Sequence, residues 1–302
     1  MPKQEWEFQS RDCAICGSKD LKFLGHRGGD AHRQGLGEKC RIVKCKRCHT
    51  IFPNPMPYPK GEDIRYSDVG DYFENVMRVD HDGHIEGGKL LLAAAEKYLS
   101  FKGDYLDVGC GRGEVVRAAK ELGWSASGCD ISEEYVNYAR DVNGVEAVAG
   151  TLEDVNFPED RFDFVSLVEV IEHLYDPKRT VEELRRIIKP GGVLYVSTPN
   201  EESIYQTFGN LYYRLTGKDW VVNLCPTWNL YHIFGFSPRS IRYLLEQSGF
   251  RIEETVVYPG TFSVPRRNSI AGKLEGLGID AVEKAANVLG KSPFMYTWAR
   301  KL

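Results

Sequence analysis

A glycine-rich turn constrains the fold of this chain more than any other feature. The turn ends the segment Tyr105–Gly113. An apolar run precedes the turn within this segment, and a helical pattern begins directly after Gly113. Three glycines alternate in the turn, namely Gly109, Gly111 and Gly113. Such glycines let the backbone turn tightly and approach a ligand at the carboxyl edge of a parallel sheet. About 20 residues further on, Asp130 ends the next predicted strand, where a carboxylate can accept both hydroxyls of a ribose.

Strand and helix patterns alternate through most of the chain, which predicts βαβ units and a parallel sheet. The predicted strands are Tyr105–Val108, Ser125–Asp130, Glu146–Ala149, Phe162–Leu167, Gly192–Ser197, Arg251–Tyr258 and Phe294–Lys301. The predicted helices are Gly88–Leu99, Glu114–Leu122, Glu133–Asp141, Pro177 to about Ile188, and Pro238–Gln247, with Ser132, Asp176 and Ser237 as N-caps. The sequence therefore predicts an α/β fold with a doubly wound, Rossmann-like sheet.

The turn is unlike a pyrophosphate fingerprint, which would read G-x-G-x-x-G. Its alternating glycines, preceded by Asp107 inside the strand, resemble the first motif of class I S-adenosylmethionine-dependent methyltransferases. Five further segments resemble later signatures of that family, namely Gly128–Ser132, Gly150–Asp154, Phe162–Val165, Val168–Leu174 and Lys189–Leu194. The resemblance extends from about Gly87 to Leu302. It implies S-adenosylmethionine as the cofactor and a seven-stranded sheet whose last strand is antiparallel.

The same resemblance implies which residues contact the cofactor. Asp130 would bind the ribose, and Ile131 would lie against the adenine. Thr151 stands where many family members have an acid, so the adenine amino contact is expected from the backbone or from Glu153. The complete expected set is Asp107, Gly109, Cys110, Gly111, Gly113, Asp130, Ile131, Thr151, Leu152, Glu153 and Val168.

Two C-x-x-C pairs near the N-terminus have the spacing of a zinc site. They are Cys13 with Cys16, and Cys45 with Cys48. Four thiolates would close a tetrahedral coordination sphere, so the zinc is expected to be structural, whereas unrelated free thiols are the alternative. Alternating prolines follow between residues 53 and 59, which favours a boundary between a zinc ribbon with its linker (1–60) and the methyltransferase domain (61–302). The ribbon also resembles the N-terminal zinc-binding part of sugar C-methyltransferases.

Candidate groups for acceptor chemistry follow the fourth strand of the predicted domain. Glu169, Glu172 and His173 lie in one short segment, and His232 follows in an aromatic run. One interpretation is a general base, His173 or His232. A second is a divalent cation, Mg²⁺ or Mn²⁺, as the resemblance to metal-assisted O-methyltransferases implies. A third is that Glu172 and His173 only cap or fill the core.

Composition limits the expected partners. The net charge is −4 and the isoelectric point is about 6.0, which gives no general reason to bind nucleic acid or an anionic membrane. We expect a cytoplasmic enzyme that methylates a small molecule: a sugar or sugar nucleotide, a polysaccharide precursor or a natural-product hydroxyl. An RNA methyltransferase and a non-catalytic cofactor-binding adaptor are the alternatives. Insertions near 200–235 and 260–291 are expected to cap the acceptor, and the oligomeric state is not predicted.

Overall fold

The computed structural model describes residues 4–61, 81–228, 231–259, 284–286 and 288–302. The strands are β1 (Trp6–Gln9), β2 (Leu21–Arg27), β3 (Cys40–Cys45), β4 (Ile51–Pro53), β5 (Met56–Pro59), β6 (Asp104–Val108), β7 (Ser125–Asp130), β8 (Glu146–Ala149), β9 (Phe162–Val168), β10 (Ile188–Pro199), β11 (Phe250–Tyr258) and β12 (Phe294–Lys301). The helices are α1 (His81–Ala95), α2 (Glu114–Glu121), α3 (Glu133–Asp141), α4 (Leu152–Val155), α5 (Pro177–Ile187), α6 (Ile204–Leu215) and α7 (Pro238–Gln247), with a 3₁₀ turn at Ile171–His173.

Seven strands form one mixed sheet in the order β11-β12-β10-β9-β6-β7-β8. Strand β12 runs antiparallel to both of its neighbours, whereas β6 through β10 pair in parallel. The predicted Rossmann-like sheet with an antiparallel last strand is therefore confirmed. The strand order reverses at β6, between β9 and β7, and ligands of such sheets bind beside the carboxyl ends of the strands at this point.

Successive side chains on a strand point to opposite faces of the sheet, and apolar side chains cover both faces. On one face, the ring of Tyr105 stacks on Phe164 with centroids 5.0 Å apart, and Phe164 stacks on Trp298 at 5.6 Å. On the other face, Leu106 and Val165 belong to a larger cluster under the helices. These two layers hold the carboxyl ends of β6 and β9 side by side.

The predicted helix caps are confirmed. Ser132 Oγ accepts a hydrogen bond from the backbone N of Tyr135 at 3.3 Å, and Asp176 Oδ1 accepts one from Arg179 N at 3.2 Å. Ser237 forms a reciprocal capping box at the start of α7. These caps fix the helix starts that follow β7, β9 and the long segment after β10.

The predicted helix Gly88–Leu99 has wrong bounds, because α1 begins at His81 and ends at Ala95. Gly88 lies inside the helix rather than at its start. A Cβ atom at Gly88 would lie 3.1 Å from Val115 Cα and 3.2 Å from Ala118 Cβ. The glycine therefore serves close packing of α1 on α2, and it does not mark a helix end.

Strand β10 also starts earlier than the predicted Gly192. Ile188 already pairs with Phe162 before the register shifts at Val193. The glycines of this stretch form an irregularity inside the strand, as Gly191 shows with a φ of 76°. The glycines that predicted a turn before the strand therefore form a bulge inside it.

The N-terminal module, residues 4–60, forms a three-stranded antiparallel sheet, β2-β3-β4, and the antiparallel pair β1-β5. Its side chains share a hydrophobic cluster with the large sheet. Tyr58 stacks on Tyr175, which lies between β9 and α5, with ring centroids 4.8 Å apart. A boundary near residue 60 stays a prediction.

The two predicted cap segments differ in how much of them the structure describes. Helix α6 occupies part of 200–235. Most of 260–291 lies outside the described residues. Within the described ranges, no helix combines the length and the apolar character needed to span a membrane.

Candidate functional site

The glycine turn, residues 109–113, lies at the carboxyl end of β6. All three glycines adopt left-handed backbone conformations, with φ values of 74°, 52° and 80° at Gly109, Gly111 and Gly113. A Cβ atom at Gly109 would lie 2.3 Å from Val170 Cγ2. The turn is thus packed directly against the loop that follows β9, which carries the predicted acid and base residues.

Asp130 connects the glycine turn with the end of β7. Its Oδ2 accepts a hydrogen bond from the backbone N of Gly111 at 2.9 Å, and its Oδ1 accepts one from Ser132 N at 2.9 Å. Burial raises the pKa of Asp130, while the two backbone donors lower it. Each carboxylate oxygen keeps a further lone pair for a hydroxyl donor. Ile131 beside it is 48% exposed, an apolar side chain that a planar ring could cover.

Asp107 is buried one residue before the end of β6. Ser166 Oγ on β9 donates to Asp107 Oδ1 at 2.5 Å, and the hydroxyl of Tyr105 donates to Ser166 Oγ at 2.6 Å. Burial raises the pKa of Asp107 to about 7. Sequence analysis did not identify Ser166 as part of the site. The signal for it was a hydroxyl between the apolar residues Val165 and Leu167 of the strand.

The residues of the third motif are mostly engaged with one another. Thr151 caps α4, since its Oγ1 accepts from Asp154 N at 3.2 Å and donates to Asp154 Oδ2 at 2.7 Å. Leu152 is buried. Glu153 Oε1 accepts from Thr180 Oγ1 at 2.7 Å. Of the adenine contacts expected here, the backbone of this segment and the second oxygen of Glu153 are the groups these bonds leave open.

The remaining two expected cofactor residues are Cys110, inside the turn, and Val168, at the end of β9. Cys110 is buried against β7, where a Cβ atom at Gly128 would lie 2.6 Å from its Sγ. Burial raises the pKa of Cys110, so it stays a neutral thiol. Val168 ends β9 and pairs with Ser197 on β10. Both therefore shape the edge at which the turn lies.

The two glutamates after β9 are held by the polar end of β10. Ser197 Oγ donates to Glu169 Oε1 at 2.7 Å, and Thr198 Oγ1 donates to Glu172 Oε2 at 2.9 Å. Glu169 has a φ of 54°, a strained value for a residue with a side chain. Burial raises the pKa of Glu169, and burial together with the charge of Glu169 raises that of Glu172 well above its usual range. Sequence analysis missed both hydroxyl partners.

His173 and His232 come together from distant parts of the chain. Their rings meet edge to face, with centroids 4.9 Å apart. The backbone carbonyl of Glu172 accepts hydrogen bonds from Ile233 N and Phe234 N, both at 2.9 Å, which brings His232 to this place. Burial and the neighbouring His173 lower the pKa of His232 to about 3. Its imidazole is therefore neutral near pH 7.

Three of the four predicted acid and base residues could share a cation. Glu172, His173 and His232 each offer a ligand atom, and these atoms lie within 4.8 Å of one another. Glu172 Oε1 is buried and has no hydrogen-bond partner within the ranges that the structure describes. One carboxylate and two imidazoles suit Mn²⁺ better than Mg²⁺, which prefers oxygen ligands.

The four cysteines of the N-terminal module meet in one place, the four-cysteine site. Their Sγ atoms lie within 4.8 Å of one another, with Cys13 and Cys48 3.4 Å apart and Cys16 and Cys45 3.5 Å apart. A tetrahedron with zinc–sulfur bonds of 2.3 Å has edges of about 3.8 Å. The spacing of the donors thus fits zinc.

The two halves of this site have the same backbone geometry. Gly17 N donates to Cys13 O at 2.8 Å, and His49 N donates to Cys45 O at 3.0 Å. Both Gly17 and His49 have a φ of 67°. The hydrogen bond between the thiols raises the pKa of Cys13 and lowers that of Cys48 to about 5. Crowded thiols of this kind ionise together only when a cation balances their charge.

Comparison with known proteins gives the same family for the central domain. Residues 84–255 match the family model described as a methyltransferase domain. A ubiquinone biosynthesis O-methyltransferase of Coxiella burnetii is 29% identical over 208 residues, which cover 67% of this chain and 86% of that protein. A probable S-adenosylmethionine-dependent methyltransferase of Mycolicibacterium smegmatis is 31% identical over 157 residues, or 51% of this chain and 54% of that protein.

A solved structure shares the fold. The crystal structure of an S-adenosylmethionine-dependent methyltransferase from Archaeoglobus fulgidus aligns with a TM-score of 0.53 and 22% sequence identity. The alignment covers 78% of this chain and all of that one. At this identity the likeness concerns the architecture alone.

Proposed function

Because the chain belongs to the methyltransferase-domain family and is an S-adenosylmethionine-dependent enzyme, we propose that it methylates a hydroxyl group of a small molecule. One observation carries the proposal: the ring of His232 meets that of His173, in the loop whose Val170 packs against the glycine turn. The sulfonium already activates the methyl group, so the protein must align the acceptor and accept its proton.

We propose that the cofactor binds across the carboxyl ends of β6 and β7. Asp130 would accept the ribose hydroxyls, Ile131 would lie against the adenine, and the glycine turn would border the methionine end. The positive φ values of the turn and the two backbone donors that fix Asp130 support this assignment. The reactive methyl group would then point toward the loop that begins at Glu169.

The acceptor class is proposed from charge, neighbours and relatives. Oxygen methylation in ubiquinone biosynthesis is what the name of the Coxiella burnetii relative states for that protein. Helix α6 starts soon after β10, which lies next to β9, the strand that Glu169 follows, and it exposes Tyr205, Phe208 and Tyr212. Such a surface supports a hydroxyl on a partly apolar molecule or on a sugar ring better than on RNA, whose binding would favour a basic surface.

Proton removal is assigned to the histidine pair. A general base near neutral pH needs a pKa close to that pH, so His173 is assigned as the proton acceptor, while His232, whose pKa is lowered to about 3, holds the His173 ring in place. Glu169, held by the hydrogen bond from Ser197, would lie next to the cofactor and close to the reacting groups. Replacing His232 or His173 by Gln should lower turnover by about 10²–10⁴.

Labelled methyl transfer from S-adenosylmethionine tests the function. A panel of catechols, sugar nucleotides and total RNA would be offered as acceptors, with His32→Gln as the control variant. Label in a catechol or sugar nucleotide, lost in His232→Gln and kept in His32→Gln, supports the proposal. Label in RNA alone would identify an RNA methyltransferase. Cofactor binding without any transfer would favour an adaptor.

A divalent cation is a second candidate for the same step, favoured by the three donor atoms within 4.8 Å and the unbonded Oε1 of Glu172. Glu172, His173 and His232 would hold it. A bound cation would lower the pKa of an acceptor hydroxyl. A chelator too weak to remove a four-thiolate zinc should then abolish turnover, and Mn²⁺ should restore it, whereas a purely imidazole-based site would be unaffected.

We also propose a structural zinc ion in the four-cysteine site. The distances between the sulfur atoms and the paired backbone geometry support it. All four donors come from the protein, so the ion would have no open position for a substrate. Its role would be to crosslink the two C-x-x-C turns, the second of which begins at the end of β3.

A further inference from the structure

We propose that the N-terminal module is the positioning element of His232, acting through the backbone pairing of Ile51 with Gly235. The inference rests on the proposed function, in which His232 takes part in proton removal. It assigns the module a role in acceptor chemistry although its cysteines lie outside the reacting groups. Residues 231–236, which carry His232, are called the strap below.

The first link runs from the four-cysteine site to β4. Cys45 N donates to Thr50 O at 2.9 Å, and Cys48 Sγ lies within hydrogen-bonding distance of Thr50 Oγ1 at 3.3 Å. Thr50 is fully buried. The residue before β4 is thus fixed by two of the cysteines, and the position of Ile51 follows from theirs.

The second link joins β4 to the strap. Ile51 N donates to Gly235 O at 3.0 Å, and Gly235 N donates to Ile51 O at 2.8 Å. Next to this two-way bridge, the rings of Phe52 and Phe234 pack with centroids 5.8 Å apart. Both hydrogen-bonding groups of Ile51 face the strap, so the module holds it in one register.

The third link holds the strap on its other side. Ile233 N and Phe234 N both donate to the carbonyl of Glu172, and Cys225 N donates to His232 O at 3.3 Å. Gly235 has no room for a side chain, because a Cβ atom there would lie 2.7 Å from Glu201 Cγ. Clamped between β4 and the loop after β9, the strap presents the His232 ring to His173.

The cofactor contacts do not use this path. The bonds of Asp130 to Gly111 and Ser132 are made within β6, β7 and the turns that follow them. Weakening the bridge should therefore affect the acceptor side and leave cofactor affinity unchanged. A module that only stabilised the whole chain would weaken both sides together.

The bridge can be cut at one atom. Ile51→Pro removes the N–H group that donates to Gly235 O. That N–H group points to the strap, so the pairing of Ile51 with Lys44 on β3 loses no donor. Ile51→Val keeps the donor and is the matched control. Hydrogen exchange of the Ile233 and Phe234 amides, zinc content, cofactor affinity and turnover would be measured in the full-length protein.

In Ile51→Pro we expect strap amides that exchange about 10- to 100-fold faster, with the zinc retained and amides of β6 still protected. Turnover should fall at least about tenfold and cofactor affinity should stay within about twofold, whereas Ile51→Val should behave as the unmodified protein. Unchanged exchange and unchanged turnover in a folded Ile51→Pro variant would overturn the inference.

A second arm covers the case in which Ile51→Pro fails to fold. Zinc would be removed from the unmodified protein with dipicolinate and then added back. Faster exchange in the strap that reverses with zinc, while β6 stays protected, supports the inference; a parallel rise in both segments, or none in the strap, contradicts it. If His232→Gln keeps full turnover, the proposed function fails, but the exchange result still decides whether the module holds the strap.

Discussion

Asp130 Oδ2 accepts a hydrogen bond from the backbone N of Gly111 at 2.9 Å, so that one carboxylate fixes the glycine turn to the end of the neighbouring strand. The bond joins the two motifs that the sequence places about 20 residues apart. It also leaves the carboxylate at the sheet edge, where a ribose could reach it. The affinity for the cofactor should therefore depend on this residue twice, through contact and through the shape of the turn.

Asp130→Ala should weaken S-adenosylmethionine binding by about 1–3 kcal/mol, because donors on the ribose and on the turn both lose their acceptor. Calorimetry of the purified protein measures the change. Asp141→Asn, an exposed acid at the end of α3, is the matched control. Equal affinities in Asp130→Ala and the control would refute the ribose assignment.

Asp107 should make the stability of the cofactor-free protein depend on pH. Burial raises its folded-state pKa to about 7, above the usual value near 3.9 in an unfolded chain. The folded state therefore holds a proton that the unfolded state releases, and stability should fall as pH rises from about 4 to 7, by on the order of 2–4 kcal/mol in total. Urea unfolding at several pH values measures this slope.

Asp107→Asn should flatten that slope, since an amide does not titrate. The cationic cofactor should bind the ionised form better, so its affinity in the unmodified protein should increase through pH 7 and change less in the variant. A pH dependence that survives Asp107→Asn would assign the effect to another group.

Gly109→Ala should destabilise the protein more than Gly123→Ala. Both glycines have positive φ, 74° and 89°, but a Cβ atom meets Val170 at 2.3 Å only at Gly109, while nothing lies within 4 Å at Gly123. Gly123→Ala should cost about 1–2 kcal/mol from backbone strain alone. Adding Val170→Ala to Gly109→Ala should recover part of the excess in urea unfolding, and no recovery would mean that contact plays no part.

Elemental analysis of protein purified without added metal should give about one zinc per chain. Cys13→Ser should lose the metal, and Cys225→Ser should retain it, because Cys225 lies outside the four-cysteine site. Protease resistance of the N-terminal module should fall with the metal. A metal-free protein with a protease-resistant module would contradict the zinc assignment.

The sheet could be predicted because its signals are local. Hydrophobic runs, caps and turns lie within a few residues of each element, and the bounds of α3 and β8 agree with the pattern to the residue. Where close packing uses the same residue type as a turn, the prediction fails, as at Gly88 in α1. A glycine can mark a turn or allow close helix packing, and only the neighbouring helix shows which of the two applies.

The partners in the site could be predicted less well than its main residues. Asp107, Glu169 and Glu172 stand out as acids at strand ends, whereas Ser166, Ser197 and Thr198 are common residues whose role depends on strand register. Register between β6, β9 and β10 is a tertiary property. The meeting of His173 with His232 likewise needs the strap to reach back across the sheet edge, which no local pattern indicates.

We expect the bridge between Ile51 and Gly235 to influence which parts of this chain can be exchanged as a unit. A chimera that takes the N-terminal module from one homologue and the strap from another would join two surfaces that had not diverged together. Changes of acceptor preference along this lineage should therefore appear as paired substitutions on both sides of the bridge. Recombination that breaks inside residues 60–220 would separate the pair, so functional hybrids should come from donors whose straps match.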